Sequence, residues 1–160
     1  MKSACQLPAA AFFLAFCLNI FWPQSACART VEIDDAGTQV VQPSVQMRWK
    51  SAAPSRSGAS NLLTGTMTVR VHLNTSPWLR RSGRIYLVLP AQAPGPMQAN
   101  WTTLGRLLPG SVVTGNRTLV YAGPLTSRFL DDVLTLQVSV NGGLLTRPVP
   151  VNFHFELDEE

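Results

Sequence analysis

The sequence has no cysteine after residue 27; its three, Cys5, Cys17 and Cys27, all lie close to the N-terminus. A chain that sheds that segment keeps no disulfide, no thiolate zinc site and no cysteine nucleophile. Lysine is nearly as scarce. Apart from Lys2 and Lys50, every basic residue is arginine. Only two histidines occur, His72 and His154. Beyond the first 28 residues no apolar run reaches the roughly 20 residues that a membrane-spanning helix needs. There is no G-x-S-x-G, no phosphate loop and no glycine-rich nucleotide fingerprint. No segment sustains helical periodicity, which sets aside all-α and α/β architectures.

What is present begins with a leader. Lys2 carries one positive charge, Ala9 to Trp22 is almost wholly apolar, and Pro23-Gln24-Ser25 breaks the run ahead of a small-x-small site at Ala26-Cys27-Ala28. This pattern predicts a cleaved signal peptide over 1–28 and export of a mature chain that begins at Arg29. An uncleaved anchor and lipidation of Cys27 are the competing readings. Cleavage leaves 132 residues, enough for one domain with an ordinary core. Thirteen basic residues less Lys2 leave twelve against nine acidic ones. The arginines are scattered, with a single small cluster at Arg80, Arg81 and Arg84, and the C-terminus is acidic at Glu156, Asp158, Glu159 and Glu160. That is not the basic stripe with interleaved aromatics of a nucleic-acid binder.

The mature chain alternates apolar and polar residues in short pieces. Thr30 to Ile33 is the first. Gln39 to Lys50 follows, interrupted by Pro43, and reads as an edge strand or two short strands. After a polar loop over 51–61, Leu63 to Leu73 alternates cleanly. Trp78 and Leu79 are expected to fold back on the core. Arg84 to Leu89 reads as a buried central strand, and shorter strands are expected at Met97–Trp101, Ser111–Val113 and Thr118–Ala122. Leu125 to Asp132 reads as a single helical turn. The clearest prediction is a C-terminal hairpin over 133–157. Leu134, Leu136, Val138 and Val140 share one face, Asn141-Gly142-Gly143 makes a tight turn, and Val149, Val151, Phe153, Phe155 and Leu157 share a face on the return strand. About seven short strands at this spacing predict an all-β, Ig-like antiparallel β-sandwich, organised as an N-terminal extension over 29–41 and a sandwich domain over 42–160.

Little in the chain asks for catalysis. His72 and His154 fall on polar strand faces and read as solvated. Asp34-Asp35 reads as a turn and Asp131-Asp132 as a charge that blocks edge pairing; neither sits in a calcium-loop pattern. No cofactor or metal is called for. Asn74, Asn100 and Asn116 open N-x-S/T sequences, glycan acceptors in a eukaryotic secretory pathway.

The hairpin's return strand needs a partner for its apolar row, either the domain's own core or a strand added from another subunit. Gly143 and Phe155, twelve residues apart near the C-terminus, resemble the last-strand pattern of bacterial fimbrial subunits assembled by the chaperone–usher route. The resemblance implies an exported Ig-like domain that lacks one strand. That strand is supplied first by a periplasmic chaperone and then by the N-terminal extension of another subunit. On that reading Gly143, Val149, Val151, Phe153, Phe155 and Leu157 form the pairing strand, and Val31, Ile33 and Val41 are the anchors of the donor strand. The implied partners are the chaperone, an outer-membrane usher, other fimbrial subunits and, for an adhesive subunit, a host receptor. The implied route is through the periplasm to the cell surface, with no membrane span in the mature chain. The alternatives are a self-contained secreted or periplasmic Ig-like binding module and, behind it, a small secreted enzyme with His72 or His154 beside a carboxylate.

Overall fold

The computed structural model describes residues 29–41, 45–50, 61–91, 95–144 and 151–159. The expected leader (1–28), nearly all of the polar loop at 51–61, part of the proline-rich connection after Leu89, and Val149 lie outside the described residues.

Ten strands occur among them: β1 (Thr30–Glu32), β2 (Gln39–Val40), β3 (Arg48–Trp49), β4 (Leu62–Asn74), β5 (Ser82–Leu89), β6 (Met97–Thr103), β7 (Gly110–Val113), β8 (Asn116–Pro124), β9 (Phe129–Asn141) and β10 (His154–Glu159). Every pairing is antiparallel. One sheet runs β1-β10-β5-β8; the other runs β2-β4-β9-β6-β7, with β3 also on β4. The two sheets pack face to face as the expected all-β sandwich. Seven strands are four residues or longer; the three extra ones, β1 to β3, are short edge pieces near the N-terminus.

The core follows from alternation. Met67, Val69, Val71 and Leu73 of β4 and Leu134, Leu136, Val138 and Val140 of β9 are all buried. All but Val140 share one cluster with Ile85, Leu87 and Leu89 of β5 and Phe155 and Leu157 of β10. The residues between them are mostly polar and are exposed or half-buried, which is the pattern of a sheet with a single buried face. Between Ile85 and Tyr86 the register with β8 slips by one residue. A bulge of this kind lets two consecutive residues, Val120 and Tyr121, both turn inward. Trp78 is buried as expected, but Leu79 is exposed.

Several expectations fail. β9 and β10 do not form a hairpin. β9 lies between β4 and β6 in one sheet, and β10 lies between β1 and β5 in the other. The turn after β9 does not close a two-strand ladder. The Gly142 amide donates to the Asn61 carbonyl at 2.7 Å, and the Gly143 amide donates to the Asn141 side chain at 2.9 Å. Gly143 is therefore an exposed turn residue, off the pairing strand. The alternating rows face each other across the core rather than lying side by side. The pairing strand itself is shorter than expected: Val151 and Phe153 pack partly buried against the core ahead of β10. The helical turn expected at 125–132 is absent, because β9 already begins at Phe129.

Asp131-Asp132 lies where β9 pairs with β4 alone, because the ladder with β6 begins at Leu134. Asp132 faces inward and is buried. Its carboxylate accepts the Leu107 amide at 2.7 Å and the Val133 amide at 2.6 Å. Gly105 lies so close to that carboxylate that a Cβ there would stand 2.8 Å from the nearer oxygen. The glycine lets the loop after β6 close over a buried charge.

Candidate functional site: the N-terminal strand on the last strand

Residues 29–41 bridge the two sheets. β1 pairs with β10 in the register Thr30↔Asp158, Val31↔Leu157 and Glu32↔Glu156. The Ile33 amide continues the ladder, donating to the Phe155 carbonyl at 2.9 Å, and the Glu159 amide donates to the Arg29 carbonyl at 3.1 Å. The chain then turns at Asp34 to Thr38. The Ala36 amide donates to the Asp34 carboxylate and the Thr38 amide to the Asp35 carbonyl. β2 then joins the opposite sheet beside Arg70 and Val69 of β4. One short segment thus closes the side of the sandwich between β10 and β4. The other side is closed by the consecutive strands β7 and β8, one in each sheet, tied by the Leu108 amide to the Val120 carbonyl at 2.7 Å.

Of the expected donor anchors, Ile33 is the deep one, 2 % exposed beside the fully buried Phe155 and Leu157. Val31 is half-buried against the same cluster. Val41 is 47 % exposed and anchors nothing, because the segment has by then crossed to the outer edge of β4.

A polar network locks β1 from the outer face. Arg117 on β8 reaches across β5 with two hydrogen bonds to Asp158, at 2.9 and 3.0 Å, and one to Glu156 at 3.3 Å. Its guanidinium also lies 4.3 Å from the centre of the Tyr86 ring. Asp158 in turn accepts the Thr30 hydroxyl at 2.6 Å. The hydrogen bonds from Arg117 hold the Asp158 carboxyl below its ordinary range, with smaller help from Thr30 and Arg84. The same pairing raises the Arg117 pKa. Burial pushes the Asp35 carboxyl up, and Glu32 adds to the effect. At the strand's end, the Trp78 indole donates to Glu159 at 2.7 Å, and Arg81 stands 3.6 Å from the same carboxylate. Glu32 stands directly opposite Glu156, an arrangement that weakens a cross-strand pair.

The histidines are less solitary than their sequence context suggests. His154 Nε2 is 3.4 Å from Glu156. His72 sits 2.5 Å from Asp131 and stacks on Phe129 at 4.6 Å between ring centres. The first pair is two residues apart on one strand face. The second joins residues 59 apart and is visible only once the β4–β9 register is known. His72 and Asp131 line a shallow groove of about 530 Å³ with Gly37, Arg70, Leu104 and Asp132. The His72 backbone amide donates to the Thr38 hydroxyl at 3.0 Å. Among the described residues no three His, Cys, Asp or Glu side chains converge on a metal position. No described helix is long and apolar enough to cross a membrane. Of the three N-x-S/T asparagines, Asn116 is exposed while Asn74 and Asn100 are half-buried.

No family model, curated protein or solved structure significantly matches the chain.

Proposed function

We propose that this protein is exported and serves as a structural or adhesive subunit of a surface fimbria. Donor-strand pairing would join it to other subunits, through a periplasmic chaperone and an outer-membrane usher. The supporting observation is that the last strand, β10, gains its outer neighbour only from the extreme N-terminal segment. That segment is short, holds by three register pairs and one deep side chain, and connects to the rest through a polar turn. In the fimbrial family that the sequence resembles, the strand beside the last one comes from another molecule. A single chain with a detachable strand in that place can fill the gap with its own residues and exchange them for a neighbour's, because the backbone hydrogen bonds are the same in either case.

A second reading rests on the closure of both sides of the sandwich. A domain whose strand order is complete within one chain also suits a self-contained Ig-like binding module. The two differ in whether residues 29–41 can be displaced. The test incubates the protein with a labelled synthetic peptide of residues 29–41. Under the fimbrial reading the peptide enters slowly to form a stable one-to-one complex, and the chain's own N-terminus becomes open to protease. No incorporation at any temperature below global unfolding would sink that reading in favour of the module.

A further inference from the structure

The seam between β1 and β10 gathers negative charge on its outer face. Glu32 stands opposite Glu156 in the register, between the ladder bonds at Ile33–Phe155 and Arg29–Glu159. That makes it the close, non-bonded kind of pair, and like charges placed so repel. Asp35 follows in the turn. Burial pushes its carboxyl up, and Glu32 and Asp34 add to the effect.

His154 is placed to answer these carboxylates. It opens β10 with Nε2 3.4 Å from Glu156, and its charge acts on Asp35 as well. The two side chains of the His154–Glu156 pair are 29 % and 25 % exposed, so solvent screens them only in part. A protonated imidazole stands between an anion of the last strand and an anion of the N-terminal turn. A neutral one leaves Glu32, Asp35 and Glu156 to repel one another.

The other charged groups around the seam do not cancel this effect. Arg117 of β8 keeps its charge throughout and divides it between Glu156 and Asp158. On β5, Arg84 acts on Asp158, and the Tyr86 ring lies against the Arg117 guanidinium. Asp34 is met by the Asn74 side chain of β4 at 3.5 Å. His72 of β4 packs against Gly37 at the far end of the turn, but its carboxylate partner, Asp131, is on β9. That pair belongs to the opposite sheet and is present whether or not β1 is docked.

We propose that pH sets the hold of residues 29–35 on the last strand, firm in mildly acidic solution and loose above neutrality. The signs agree. A carboxyl raised by docking, as Asp35 is, favours the docked strand at low pH, and the preference is lost as pH rises through its folded value. An imidazole that gains a carboxylate neighbour on docking acts in the same direction. Asp158 acts in the opposite direction, but only below 3.8, where its bonds to Arg117 and Thr30 begin to fail. The hold is therefore firmest between that limit and neutral pH. Release leaves β10 without its outer neighbour. The device concerns release alone, so it stands whether or not a strand from another subunit takes the vacated place.

The test is amide hydrogen exchange of the purified protein, followed by NMR between about pH 5 and about pH 7.5 and corrected for the intrinsic rate at each pH. The Ile33 and Glu159 amides, bonded to the Phe155 and Arg29 carbonyls, report release of the strand. Amides of the β4–β9 ladder report opening of the sandwich itself. Protection at Ile33 and Glu159 should fall about threefold to tenfold across this range. Protection along the β4–β9 ladder should change less than about twofold. Glu32→Gln should keep most of the protection at the upper pH, and His154→Gln should lose most of it at the lower pH. Flat protection at Ile33 and Glu159 would overturn the proposal. So would an equal fall along the β4–β9 ladder, or a pH dependence that survives both substitutions. Peptide incorporation measures a different step: a strand that releases with pH yet admits no peptide supports this proposal and refutes the fimbrial reading.

Discussion

Replacing Ile33 by alanine probes the seam that closes the sandwich. Ile33 is 2 % exposed and sits between the sheets at the point where the N-terminal segment leaves β10. The substitution removes three carbons. At about 0.8 kcal/mol per buried methylene the transfer loss alone is about 2.4 kcal/mol. A residual cavity adds to this, so a total of about 3 kcal/mol is expected. Under the proposed removal of residues 1–28 the segment is terminal and can detach locally. Its own opening free energy therefore caps the loss, and a strand held by so few pairs opens below the global value. Val41→Ala serves as the control, since a 47 % exposed side chain on the sheet edge should cost under about 0.5 kcal/mol. Urea unfolding followed by tryptophan fluorescence reads both. Equal, small losses for Ile33→Ala and Val41→Ala would refute the reasoning, because Ile33 would then not be part of the cooperative core.

Two further outcomes follow from buried or paired carboxylates. Asp132→Ala leaves the Leu107 amide without its acceptor and should cost about 1–3 kcal/mol, whereas Asp132→Asn keeps an acceptor oxygen and should cost less; faster hydrogen exchange at the Leu107 amide in the alanine variant is the check. The Asp158 carboxyl is held below its unfolded value of 3.8 by Arg117, so its contribution is complete above that value and is lost as pH falls through the lower folded value. Arg117→Ala should therefore be destabilised at neutral pH and lose less further stability on acidification than the parent, as followed by melting temperature against pH.

Much of the fold is legible in the sequence because alternation reports which face of a strand is buried. Met67 to Leu73 and Leu134 to Val140 alternate without exception, and both are core. Alternation says nothing about which strand lies alongside. Asn141-Gly142-Gly143 between two alternating runs suggested a hairpin, but the two apolar rows meet across the core as readily as within one sheet. The start of β9 was hidden for a chemical reason. Period two carried back from Leu134 lands on Asp132 and Leu130, and a carboxylate on the core face looks like a break until its partner, the Leu107 amide, is known. The burial of Ile33 was readable from its apolar character beside Val31. Val41 was misread because the segment changes sheets at the Asp34–Thr38 turn, and a spacing rule cannot follow it across. The His72–Asp131 pair depends on the register between β4 and β9, which no local pattern encodes.

The most direct measurement is the disulfide formed by the double variant Glu32→Cys, Glu156→Cys. The hydrogen-bonded ladder positions at Ile33–Phe155 and Arg29–Glu159 make Glu32–Glu156 the close, non-bonded kind of pair, whose Cβ atoms lie nearest each other. No other cysteine follows residue 27 to compete. The account predicts an internal disulfide in the monomer, seen as faster migration without reductant and a higher melting temperature. Failure to close, or a ladder of covalent multimers with no closed monomer, would contradict the claim that the last strand is completed by the chain's own N-terminus.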